Sequence, residues 1–210
     1  MTLGGISMGY TTRFEGIIEL DKPLDKETYT FLKKFSNTRR MKRNLGPEYG
    51  VEGEYYVDGK GDYGQDREDN VVDYNAPPST QPGLWCHWTP TKDKKGIKWD
   101  DGGEKFYEAA PWMDYILNKI LAPKGYIANG TIEAQGEELA DHWWLHVENN
   151  KISTETTEDL EHNLNVAEER NLILTHALSN DLPLLVNHTW ASDENEKMFK
   201  NLIKNQPVKE

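Results

Sequence analysis

The sequence predicts an α+β fold, a two-layer antiparallel sheet with two helices in the order β-α-β-β-β-α-β-β, followed by a C-terminal helical hairpin. Three observations carry that expectation. Short alternating segments come in hairpin-spaced pairs, two segments keep helical apolar spacing, and the character of the chain changes to a heptad-like seam after Asn150. Strands mixed with helices and joined by hairpins favour helices packed on one face of an antiparallel sheet.

The first strand is "YTTRFEGIIEL", Tyr10 to Leu20, with Phe14, Ile18 and Leu20 on one face and a bulge expected near Gly16. Asp25 then caps a helix whose apolar residues are Tyr29, Phe31, Leu32 and Phe35, with lysines at its end. "GEYYVDG" predicts a short strand at Glu54 to Val57, and the aperiodic glycine- and aspartate-rich segment Asp58 to Asp73 predicts a loop. In "GLWCHWTP" bulky residues alternate, with Leu84, Cys86 and Trp88 on one face and Trp85 and His87 on the other; "IKWD" returns as its partner strand. The prolines at 77, 78 and 82 hold the approach to that strand extended. The strongest helix is "EKFYEAAPWMDYILNKILAPKGY", with the stripe Phe106, Ala109, Met113, Ile116, Leu117 and Ile120; Pro111 starts or kinks it, and Pro123 with Gly125 ends it. "YIANGTIEAQG" and "HWWLHVENN" form a closing hairpin.

Domain bounds follow: residues 1–8 as a flexible extension, 9–150 as the α+β domain, and 151–210 as a helical appendage. Within the appendage, Leu160, Leu164, Ala167, Asn171, Leu174 and Leu178 recur at alternating spacings of four and three, a short heptad seam with one asparagine. A second helix is expected in "ASDENEKMFKNLIKN". The hairpin either covers the sheet domain or makes a homodimer through residues 155–205.

The chain carries a net charge of −12, which argues against direct nucleic-acid binding and against an anionic membrane surface. The charge is uneven: residues 1–50 hold nine basic and six acidic side chains, residues 51–150 nine and nineteen. A single cysteine precludes an internal disulfide and fits a reducing cytoplasm, and no apolar run approaches the length of a membrane span. A cytoplasmic protein is expected, in its own cell or in a host.

The segments "GEYYVDG", "GQDREDNVVDYNAPPSTQPGLWCHW", "GGEKFY" and "KGYIANGTIEAQGE" together resemble a family of small proteins of unknown function from bacteriophages and actinobacteria. The resemblance covers roughly Gly9 to Asn150. It implies a phage or prophage setting, carries no catalytic residue to this chain, and leaves the tail as an addition where a partner surface would lie.

The candidate sites are each open to a plainer reading. The aspartates Asp58, Asp62, Asp66, Asp69 and Asp73 sit on a glycine-rich loop of the kind that wraps hard cations. Lys60 occupies the position of a second ligand and Arg67 adds repulsion, so no metal is assigned. The loop reads as solvated, or as meeting a basic partner through Asp66, Arg67 and Asp69. His142 and His146 lie four apart on a strand rather than a helix, and one cysteine allows no thiolate cluster, so zinc is not expected. Cys86 shares a face with Leu84 and Trp88 and reads as core rather than nucleophile. "KKFSNTRRMKR", with Arg39, Arg40, Lys42 and Arg43, is either a phosphate-binding patch or a helix end followed by an exposed loop that pairs with the acidic middle. No catalytic residue and no cofactor are assigned.

Three functions remain open. The preferred one is a non-enzymatic phage-type accessory protein that binds and modulates a host macromolecule, a host protein or protein–nucleic acid complex such as a bacterial immune effector. The second is a nucleotide or sugar site walled by Tyr74, Trp85, Trp99 and the proline loop, with Gln81 and His87 beside it. The third is a structural protein that self-associates through its tail.

Overall fold

The computed structural model describes residues 10–101 and 106–178. The fold is α+β: the described residues form a six-stranded antiparallel sheet, a separate two-stranded sheet and three α-helices. The large sheet has the order β4-β5-β1-β6-β7-β8, formed by β1 (Arg13–Leu20), β4 (Trp88–Pro90), β5 (Gly96–Trp99), β6 (Ala128–Gln135), β7 (His142–Glu148) and β8 (Lys151–Thr156). β2 (Lys42–Arg43) and β3 (Val71–Asp73) make the small sheet.

β1 lies inside the sheet because its alternation buries Phe14, Ile18 and Leu20 while Arg13, Glu15, Ile17 and Glu19 face water. The bulge expected at Gly16 is absent. The register with β6 runs unbroken from Arg13↔Gln135 to Leu20↔Ala128. Gly16 is needed for a different reason: its φ is +123°, and a Cβ there would lie 2.5 Å from the Thr131 carbonyl oxygen. The glycine permits close backbone approach without an extra residue.

Helix α1 (Lys26–Ser36) starts where its cap predicts. The Asp25 carboxylate accepts from the Thr28 amide at 2.8 Å and the Thr28 hydroxyl at 2.7 Å, and Tyr126 Oη donates to it at 2.9 Å. The Thr28 bonds, more than the tyrosine, hold the Asp25 carboxyl well below the usual range. The second helix begins later than its apolar stripe suggests, as α2 (Ala109–Tyr115), with Pro111 in its first turn where no amide is required. It continues through a π-helical turn, Ile116–Leu121, and a 3₁₀ turn, Ala122–Lys124, to Gly125 at φ +73°. The whole predicted stripe from Phe106 to Ile120 is buried.

Three local expectations change. Residues 54–57 are not a strand: the Tyr56 amide bonds back to Gly53 O and the Tyr55 amide to Tyr49 O, a fold-back made possible by Gly50 and Gly53 at φ +85° and +80°. Of "GLWCHWTP" only Trp88–Pro90 joins the ladder. Ahead of it, Leu84 O turns to a loop and accepts from the Arg40 amide at 2.8 Å, while His87 O takes the Asp100 amide at 2.8 Å, one last bond in line with the β4–β5 register. The sheet also continues past Asn150. Asn149 and Asn150, at φ +50° and +65°, form a two-residue turn into β8, which pairs with β7 from Glu148↔Lys151 to Trp143↔Thr156.

The core sits on the inner face of the sheet. Phe14 is its hub, edge-on to Trp88, Trp99, Phe106 and Trp143 at centroid distances of 5.4 to 5.9 Å. Phe35 of α1 meets Trp112 and Tyr115 of α2.

The chain divides into two units between Thr157 and Glu158. The described part of the second, residues 158–178, belongs to helix α3 (Thr157–Leu178), on which Leu160, Leu164 and Leu174 of the predicted seam are 39%, 61% and 42% exposed. The expected extension at 1–8, residues 102–105 and the second tail helix expected in "ASDENEKMFKNLIKN" lie outside the described residues. No described helix is long and apolar enough to cross a membrane.

Candidate functional site

The segment from Thr38 to His87 carries most of the predicted site residues, and it is held by two buried arginines. Arg40 is 2% exposed, its guanidinium 4.3 Å above the Phe35 ring. Its Nη2 donates to Glu54 O at 2.9 Å and its Nε to Gln81 Oε1 at 3.3 Å, while Nη1 is buried with no partner among the described residues. Gln81 in turn donates from Nε2 to Glu54 O at 2.8 Å and to Tyr115 Oη at 3.1 Å. This network ties α1, the turn at Glu54, the proline loop and α2 together. Burial pulls the Arg40 pKa down to about 10 and pushes Tyr115 up to about 12, so both keep their usual protonation at neutral pH.

Arg43, also 2% exposed, donates from Nη1 to Glu68 and to Asn70 Oδ1 at 2.7 Å, and its guanidinium lies 4.5 Å from the Tyr56 ring centre. Lys42 pairs with Glu52 at 3.1 Å, and Lys34 with Asp58 at 2.6 Å. The Ser79 amide, more than Lys42, holds Glu52 down to about 2.

The basic stretch is therefore not an exposed patch. Arg40 and Arg43 are interior because the irregular loops around them leave carbonyls that need donors, and an arginine fork supplies several from one stem. Three of these basic residues, Lys34, Lys42 and Arg43, pair with Asp58, Glu52 and Glu68 of the acidic middle. Gln81 corrects a second expectation: it is 6% exposed and belongs to the buried network, not to the outward loop surface.

Outside these anchors lies a partly exposed row of aromatic and guanidinium groups. Arg39 and Arg67 both lie over the Tyr74 ring, at 4.7 and 5.2 Å from its centre, and Arg39 is 5.8 Å from that of Trp85. Trp85 stacks near His87 at 6.4 Å and meets Tyr63 edge-on at 5.9 Å. Arg39 is fixed by the Tyr74 carbonyl at 3.2 Å and Asn75 Oδ1 at 3.4 Å, and Tyr74 Oη donates to Gln65 at 3.3 Å. Burial, opposed by Asp100, lowers the His87 pKa and favours its neutral form.

Comparison with family models, curated proteins and solved structures finds no match.

Of the other predicted residues, Asp66 and Asp69 are exposed on either side of Arg67 in the chain. Trp99 does not join Tyr74 and Trp85. It pairs directly across from Trp88, so its ring turns to the same inner face and packs on Phe14 at 5.6 Å. The aromatic wall expected for a nucleotide or sugar site is thus split between two places. No group of three or more His, Cys, Asp and Glu among the described residues is arranged to hold a metal ion.

Tyr63 is the residue that sequence reasoning omitted. Its signal was a lone aromatic within "GDYGQ": flanked closely by glycines and held at φ +57°, the residue is 62% exposed. Cys86 is fully buried, and burial pushes its thiol up to about 12. The native thiol is expected to resist iodoacetamide at about pH 8 and to react once urea unfolds the chain, because so little thiolate is present and access is closed. Rapid alkylation of the folded protein would contradict this placement.

Proposed function

We propose that the protein is a binding protein without chemistry of its own, and that its recognition face is the row Tyr63, Trp85, Arg39, Tyr74 and Arg67, with His87 beside it. The observation that carries this reading is the two guanidinium groups over one half-exposed tyrosine, continued by Trp85 and Tyr63. Tyrosine, tryptophan and arginine dominate binding energy at protein interfaces because they offer large area with few rotors to immobilise. Stacking orders these side chains in advance, and the buried arginines beneath hold the loops that display them, which lowers the entropy lost on binding. Exposed carboxylates at Asp62, Asp66, Asp69 and Asp73 on the same loop segment supply a polar rim.

The partner in this reading is a host macromolecule, such as a bacterial immune effector, which binding would inhibit; the phage setting implied by the family resemblance supports that choice. Affinity capture from a phage-host lysate tests it, with wild type and a Tyr63→Ala/Trp85→Ala variant side by side. A macromolecule held by wild type and lost by the variant is the expected result. Equal recovery by both proteins, or no specific recovery, would sink the proposal.

A further inference from the structure

The outer face of the large sheet carries a tryptophan that the core does not use. Side chains alternate across a strand, so Trp143 and Leu145 turn inward while His142, Trp144 and His146 share the outer face of β7. The cross-strand register aligns Glu15 of β1, Glu133 of β6, Trp144 of β7 and Glu155 of β8 in one row. Trp144 thus has a glutamate on each side across the strands and a histidine on each side along its own.

Those neighbours are held in place. His142 lies 4.3 Å from the Trp144 ring, centre to centre, and its Nε2 is 2.7 Å from Glu133 Oε1. His146 is bridged between Thr131 Oγ1 at 3.0 Å and Glu155 Oε2 at 3.3 Å. The four side chains stay accessible, at 24% for His142, 53% for Glu133, 37% for His146 and 28% for Glu155. Next in the row, Glu15 pairs with Arg13 at 2.9 Å, both well exposed.

We propose that this face binds a basic peptide segment, seating a guanidinium or ammonium group against Trp144 between Glu133 and Glu155. Indole is the best side-chain π-surface for a cation, and the carboxylates in its own row add charge-assisted hydrogen bonds to the same group. A net charge of −12 draws a basic segment toward the protein from a distance. The histidines orient the two carboxylates, so the site is formed before the ligand arrives. A neutral hydroxyl could donate to these carboxylates but would gain neither the charge pairing nor the cation–π contact, and an anion would be repelled by them. The surface is separate from the loop row, and the inference does not depend on the function proposed for it.

The experiment titrates the full chain with hexa-arginine at about 0.15 M salt, where long-range attraction is screened. Hexa-glutamate and chitohexaose serve as comparison ligands, and the readout is the Trp144 indole N–H signal, assigned with Trp144→Phe. Hexa-arginine is expected to move that signal while the other two do not. Trp144→Ala, and separately the Glu133→Gln/Glu155→Gln pair, should each weaken hexa-arginine binding about tenfold. Binding unchanged in the variants would reduce the effect to general attraction by an acidic chain and overturn the proposal. A response to chitohexaose with none to hexa-arginine would overturn it in favour of a neutral sugar. Should Trp144→Ala prove unfolded by circular dichroism, the glutamine pair, which keeps size and shape, decides the outcome.

Discussion

Replacing Trp88 by alanine is expected to lower the free energy of unfolding by about 4 kcal/mol, the middle of the range for removing a buried large aromatic. Trp88 is 1% exposed and packs edge-on against Phe14 and Phe106, at 5.4 and 5.1 Å. Its indole Nε1–H donates to Ala109 O at 2.7 Å, tying the sheet to the start of α2. Alanine would leave a cavity and also strand that carbonyl, and the two costs act together. Urea denaturation checks this as a lower midpoint with an unchanged slope. Since a domain of this size holds only about 5–15 kcal/mol, the variant would be near the edge of folding. Trp85→Ala gives the contrast, because its ring lies on the half-exposed row and its loss should cost about 1 kcal/mol or less. Equal losses at the two positions would contradict the assignment of one ring to core and the other to surface.

Arg43→Met is the second large effect, and its character should be local. The arginine reaches Glu68, Asn70 Oδ1 and Gly64 O, and its amide bonds to Glu52 O at 2.9 Å. Methionine keeps the apolar stem but removes every side-chain donor. Breaking a buried ion pair from one side costs about 3–5 kcal/mol, and the lower end applies because Glu68 can swing back to water. The loss should concentrate in residues 52–70, seen as faster amide exchange and new proteolytic cuts there, with β1, β6 and β7 still protected. Arg43→Lys should not restore the loop, since one ammonium cannot span the positions that the guanidinium fork reaches. Exchange that rises evenly over the large sheet would show that Arg43 supports the whole fold instead.

Particular residues show how far the sequence could be read. The cap at Asp25, the stripe from Phe106 to Ile120 and the β6–β7 hairpin were legible because each depends on neighbours a few residues away. The strand predicted at 54–57 failed because tyrosines and valine satisfy a strand pattern while Gly50 and Gly53 bend the chain back on itself. β8 was passed over because an Asn-Asn turn is a weaker signal than Asn-Gly, and its polar residues carry little alternation. In the candidate site, Tyr74, Trp85, Arg39 and Arg67 were visible as residue types of the right kind, but not as a stack. Their contacts join positions up to 46 apart in the chain, Arg39 to Trp85 being the longest.

Burial of the charged groups was the part that local pattern could not reach. Arg39, Arg40, Lys42 and Arg43 are alike in sequence, yet two are interior and two partly exposed. The difference lies in which loop carbonyls and carboxylates close over each one, and those come from residues 52 to 81. Alternation and capping set the elements, because they act through backbone geometry within a turn or a strand. Which basic residues became anchors, and which aromatic rings were left facing water, was decided only when distant loops met, since a buried donor is stable only where the rest of the fold supplies its acceptor.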